Sequence, residues 1–134
     1  MSPRSIDIVD VASKRLKAKG YEGVGVKRLS DVSEKGGIAV RRIPSTTTGS
    51  YFDGARDVAY LFQVIVARES EVEAIDECCE IGDTLPTMDL ASENGTYRIT
   101  SVAVYTDPQE LELSEGGFYV WEVRFKAIIT TKGR

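Results

Sequence analysis

Apolar residues in the first part of the chain recur at spacings of three and four: Ile6, Val9, Ala12 or Ser13, and Leu16. That spacing predicts an amphipathic helix over residues 5–19 with one narrow stripe to lay on a neighbour. The ends agree, with Pro3 near the first turn, Asp7 and Asp10 early, Lys14, Arg15, Lys17 and Lys19 late, and Gly20 as the stop. Residues 20–37 are punctuated by Gly20, Gly23, Gly25, Gly36 and Gly37, which predicts a short strand and loops.

The period then shifts towards two. Residues 38–43 read as a strand ending at Pro44, whose missing N–H cannot continue a ladder. Residues 45–50 (STTTGS) read as a polar loop, and Tyr51-Phe52-Asp53-Gly54 as an aromatic pair with a turn signal in a hairpin-like connection. Residues 58–67 form the most apolar strand: Val58, Tyr60, Phe62, Val64 and Val66 face one way and Leu61 and Ile65 the other, with Gln63 alone polar, so both faces need cover. A capping box, Ser70 to Glu73, opens a second helix to about Leu85 before Pro86. Val72, Ala74, Ile75, Cys78, Cys79, Ile81 and Leu85 are its apolar side, and six acids from Glu71 to Asp83 make the outer face acidic.

After a turn at Asn94-Gly95, residues 97–105 and 118–130 read as two long antiparallel strands. In the second, Tyr119, Trp121, Val123, Phe125, Ala127 and Ile129 should face the core, with Trp121 as an anchor. Val120, Glu122, Arg124, Lys126 and Ile128 should be partly wet. Residues 107–117, with Glu110, Glu112 and Glu115, are too long and acidic for a tight turn and suit a projecting arm. This order gives an α+β fold over a single domain, 1–134: an antiparallel sheet of about four main strands, with an N-terminal helix and a central acidic helix packed on it.

Composition adds constraints more than detail. A chain of 134 residues, 42% hydrophobic and 28% charged, suits an ordinary globular domain able to bury its own core. No stretch reaches the ~20 apolar residues of a membrane span, and the acids close to the start are unlike a signal peptide, so no membrane partner and a cytoplasmic origin are expected. Adjacent Cys78 and Cys79 give neither a disulfide framework nor a CxxC motif. Residues 1–42 carry 10 Lys/Arg against 5 Asp/Glu, net +5, and residues 43–134 carry 7 against 16, net −9. In the basic part the positive charges are interleaved with acids and Tyr21 is the one aromatic, which favours a solvated helix face over a nucleic-acid arm.

The chain has no histidine, which removes the commonest general base, the Ser-His-Asp and Cys-His nucleophile systems and most zinc sites. Gly23-Val24-Gly25 is too short to be a phosphate loop. Carboxylate pairs such as Asp53 with Asp57, or Glu77 with Glu80, lack a pocket in their sequence context. The expectation is a protein that is not an enzyme, with no catalytic residue, metal or cofactor.

Arg41-Arg42-Ile43-Pro44-Ser45-Thr46, Tyr51-Phe52-Asp53-Gly54, the apolar strand, Ala74-Ile75-Asp76 on an acidic helix and the closing strand pair occur here in one order. In this the sequence from about residue 38 onward resembles the phage minor capsid or tail-terminator (head-to-tail joining) family. The resemblance implies a virion protein, assembled in the host bacterial cytoplasm, forming a homohexameric ring that caps the tail tube, stops its polymerisation and meets head-side neck proteins. Within that reading Arg41, Arg42, Pro44, Tyr51, Phe52, Asp53 and Gly54 are expected at subunit or partner contacts, since aromatics and arginine carry most interface energy. Glu110, Glu112 and Glu115 are candidates for an acidic face lining the channel, past which genomic DNA would slide without specific binding. A neck adaptor docking on the portal is a rival within this class; a binding module unrelated to phage is a rival outside it.

Overall fold

A strand that is apolar on both faces has to lie inside a sheet covered on both sides, and the stretch around residues 58–67 obeys this. The computed structural model describes residues 6–44, 46–50, 56–113 and 117–131. In chain order the elements are α1 (Ile8–Ala18), β1 (Val24–Gly25), α2 (Leu29–Lys35), β2 (Gly37–Arg42), β3 (Thr46–Ser50), β4 (Arg56–Arg68), α3 (Glu71–Thr84) with a 3-10 turn at Leu85–Thr87, β5 (Tyr97–Leu113) and β6 (Tyr119–Thr131). The strands form one sheet in the order β1-β2-β4-β6-β5, with β3 also paired to β4. Every pairing is antiparallel except β1 with β2.

The α+β reading therefore holds, with more sheet than expected. Residues 45–50 were expected to be a polar loop, but Thr46–Ser50 is a strand. It runs along the same side of β4 as β2 does: Arg42 pairs with Phe62, and Thr46 with Ala59. Pro44 breaks the ladder as expected, and the chain re-enters it two residues later. In the glycine-punctuated stretch, Leu29–Lys35 is helical. Its start is closed by Asp31, whose carboxylate accepts the Arg28 N–H at 3.0 Å. The supposed arm over residues 107–117 is strand as far as Leu113. It survives Pro108 because β5 is an edge, where a missing N–H breaks no pairing.

Helices α1 and α3 pack on one face of the sheet. Ile8, Val11, Ala12, Leu16, Cys78, Ile81, Leu85 and Leu90 meet Val58, Tyr60, Phe62, Val64 and Val66 of β4 and Val123, Phe125, Ala127 and Ile129 of β6. Phe62 and Phe125 stack across the strand pair with centroids 5.3 Å apart. The other face has a smaller cluster, where Val32 of α2 meets Ala39, Ile65, Ala67 and Val120 at one end of the sheet.

The β6 alternation is as expected from Val123 onward and departs from it over residues 119–122: Tyr119 is half-buried instead of in the core, and Val120, expected to be partly wet, is fully buried under α2. Trp121 is only half-buried at the margin of the core. Glu122, expected to be partly wet, has no exposure. On α3, Val72 and Cys79 stand in solvent instead of joining the apolar side. Ser70 caps the helix through Glu73 N at 3.4 Å, while the Glu73 carboxylate turns to Arg68 at 3.9 Å.

Candidate assembly interface

The long antiparallel pair β4–β6 fixes two ends for the molecule. Arg56 pairs with Thr131 at one end and Arg68 with Tyr119 at the other. At ~3.3 Å per residue these ends lie about 40 Å apart. Ser50 of β3 pairs with Arg56 at the first end, and Leu113 of β5 pairs with Tyr119 at the second. Tyr51, Phe52, Asp53, Gly54 and Glu115 lie outside the described residues.

The remaining candidates divide between the faces. Arg41, half-buried, pairs with Gln63 on the face that carries α2. Arg42 belongs to the opposite face, exposed, with its guanidinium 5.2 Å from the centroid of the Tyr60 ring. Pro44 is exposed between β2 and β3. Glu110, exposed on β5, pairs with Trp121, and Glu112 with Val120. The arginines and the β5 acids are thus separated by the width of the sheet and do not form one site.

Two sheet edges remain unpaired among the described residues. The outer side of β5 is interrupted by Pro108 and by four irregularities in its register with β6, which protect an edge against indiscriminate pairing. Between them Val104 and Tyr105 are 36% and 54% exposed. On the far side, β1 covers only Ile38 and Ala39 of β2, which leaves the rest of β2 and β3 as an edge.

Sequence reasoning missed a polar cluster at the centre of the α2 face. The Glu122 carboxylate accepts Nε2 of Gln63 at 2.6 Å, Nε2 of Gln109 at 2.8 Å, and Nε and Nη2 of Arg124 at 2.9 and 3.2 Å. Burial pushes its pKa up, but the hydrogen bonds from Arg124, Gln109 and Gln63 and the Arg124 charge together hold it below the ordinary value. The only signal was Gln63, a polar residue in an otherwise apolar strand. Its partners emerge only from the β4–β6–β5 register.

The groups that might have carried chemistry have structural partners. Glu77 pairs with Arg68 at 2.8 Å, Glu80 accepts the Tyr21 hydroxyl, and Asp57 accepts Thr130 Oγ1 at 2.8 Å. Burial drives the Cys78 thiol pKa up to about 12, far from a nucleophile's range. Among the described residues no group of three or more His, Cys, Asp or Glu could hold a metal. A surface pocket of about 390 Å³, lined by Lys35, Gly36, Arg68, Ser70, Glu73 and Phe118 among others, collects charges of both signs and no catalytic pair.

Residues 23–131 match the family described as "Bacteriophage tail terminator protein". The chain belongs to that family. The match spans the whole sheet and both α2 and α3, and leaves out α1. Among solved structures, a chain of the "Virion of native gene transfer agent (GTA) particle" shares the fold, with a TM-score of 0.57 and 14% identity over 91% of this chain and 93% of that one. No curated protein matches in sequence. A tail terminator is a structural protein of the phage tail and virion, and family membership favours a structural over a catalytic role.

Proposed function

We propose that this tail terminator forms a closed ring, six-fold in the simplest case, on the last ring of the tail tube, ends tube polymerisation and offers its other side to the neck proteins of the head. Family membership together with the two-ended geometry supports the reading: a joining protein must meet different partners on opposite sides, and β4–β6 separates two hairpin ends by about 40 Å. Arg42, which pairs with Phe62 midway along β4, Pro44 and the segment Tyr51-Phe52-Asp53-Gly54 serve subunit or partner contacts, with Arg41 on the other face, because aromatics and arginine carry most interface energy. Glu110 and Glu112, near the Leu113–Tyr119 end of the β5–β6 pair, and Glu115, which follows β5 in sequence, keep passing genomic DNA from sticking to the lumen, by repulsion of its phosphates. The ring assembles in the host cytoplasm before head and tail meet.

Purified tail tube protein polymerising with and without this chain tests the reading. Added at a few rings per tube, the protein should stop elongation and narrow the length distribution seen by negative stain. Tubes that keep growing at the same rate would contradict it. Arrest of nothing, with binding to the portal instead, would favour the neck-adaptor alternative.

A further inference from the structure

Helix α2 covers only one end of its face of the sheet, where Val32 meets Ala39, Ile65, Ala67 and Val120. Beyond it no described helix lies on that face. The bare part carries Arg41, Arg98 and Lys126, none of them in a salt bridge among the described residues, with Lys126 5.9 Å from the ring centroid of exposed Tyr105. Arg124 is neutralised by Glu122, and Asp57 is tied to Thr130. Half-buried Ala59 and Ile128 supply apolar surface between the cations. A sheet face with this mixture is half covered, and the layer logic of domains calls for a second cover.

The complementary surface is on the same molecule. Helix α3 turns Glu71, Asp76 and Asp83 outward without salt bridges among the described residues, and Val72 beside them is 68% exposed. It lies on the opposite face of the sheet, so it cannot reach the bare cationic face of its own chain.

We propose that the bare sheet face receives the acidic α3 of the next copy of this chain. Each subunit then gives one helix and receives one. Such a head-to-tail contact between two different patches is the kind that closes into a ring when the rotation fits, and opposite charge fixes its register and suppresses wrong pairing. The inference rests on the ring reading above and specifies its subunit contact.

Two charge-reversed variants test it, Arg41→Glu/Lys126→Glu on the sheet face and Asp76→Lys/Asp83→Lys on α3. By analytical ultracentrifugation the wild type sediments as a ring. Each variant alone needs at least about a tenfold higher concentration to assemble, because like charges now face each other. Mixed one to one, the variants restore the ring, since an even-numbered ring can alternate them and every contact is again between opposite charges. That restoration also excludes misfolding as the cause of the separate failures. Wild-type assembly by either variant alone, or no restoration on mixing, overturns the proposal while a wild-type ring leaves the ring reading standing. A wild type that stays monomeric, alone and on tail tubes, removes the ring reading and this contact with it.

Discussion

Glu122, on β6 and without solvent exposure, accepts a 2.6 Å hydrogen bond from Gln63 on β4. Gln109 and Arg124 complete the set, so every acceptor direction of a buried charge is used. Removing one member leaves the others desolvated, which costs more than the bond itself. Glu122→Gln places an amide donor against three donors and should destabilise by about 2–4 kcal/mol, and Gln63→Leu, which keeps the charge and removes one donor, by about 1–3 kcal/mol. Urea unfolding followed by tryptophan fluorescence measures both; changes under 0.5 kcal/mol would mean the cluster is energetically idle.

The same carboxylate sets an acid limit. Its folded pKa lies below the ordinary value, so the unfolded chain takes up the proton first. Its stabilisation is complete above the unfolded value, about 4.3, and is lost as the pH falls from there through the folded pKa. Stability curves of wild type and Glu122→Gln should therefore converge below about pH 4 and run parallel above pH 6. A constant difference down to pH 3 would show that the charge is not the source.

Asp7 precedes α1 yet does not cap it with its side chain. Its carboxylate accepts Ser92 Oγ at 2.8 Å, Glu93 N at 3.0 Å and Asn94 N at 3.2 Å, tying the start of the chain to the loop before β5. Asp7→Ala should lose about 2–3 kcal/mol and Asp7→Asn less, because the amide keeps one acceptor. Hydrogen exchange at Glu93 and Asn94 should accelerate selectively in the alanine variant; uniform acceleration would point to global loosening instead.

Gly37 opens β2 at φ 116°, and a Cβ there would stand 2.9 Å from the carbonyl oxygen of Gly23, on the crossing that pairs β1 with β2. Gly20 has a similar φ of 102° with no atom within 4 Å. Gly37→Ala combines strain with a backbone clash and should cost about 2–4 kcal/mol, against about 1 kcal/mol for Gly20→Ala, which carries strain alone. Equal melting temperatures for the two variants would contradict this reading of the crossing.

The elements legible in the sequence are those whose burial is decided locally. The three-four spacing announces α1, although its buried face centres on Ile8, Val11, Ala12 and Leu16 with Ile6 and Val9 half-buried at the margin, and the alternation Val123, Phe125, Ala127, Ile129 announces β6 because it buries one continuous face. What stayed hidden depends on partners far along the chain. Thr46–Ser50 is a strand only because β4 has an edge to offer, and nothing in STTTGS carries a strand pattern. Helix α2 is seven residues long between glycines, too short for a period to show. Glu122 sits where alternation predicts water, and Gln63 and Gln109 from the neighbouring strands, together with Arg124, make its burial tolerable. The family motif was legible from residue 38 onward, whereas the match reaches back to residue 23 and takes in β1 and α2, whose sequence is mostly loop-like.

On the proposed function, this tail terminator acts by closing a ring on one end of a tube. Cryo-electron microscopy of purified tail tubes incubated with the protein tests it most directly. The expected image is a single closed ring at one tube end, with its subunits joined head to tail and none along the shaft. Scattered decoration of the shaft, or bare ends beside free monomer, would contradict it.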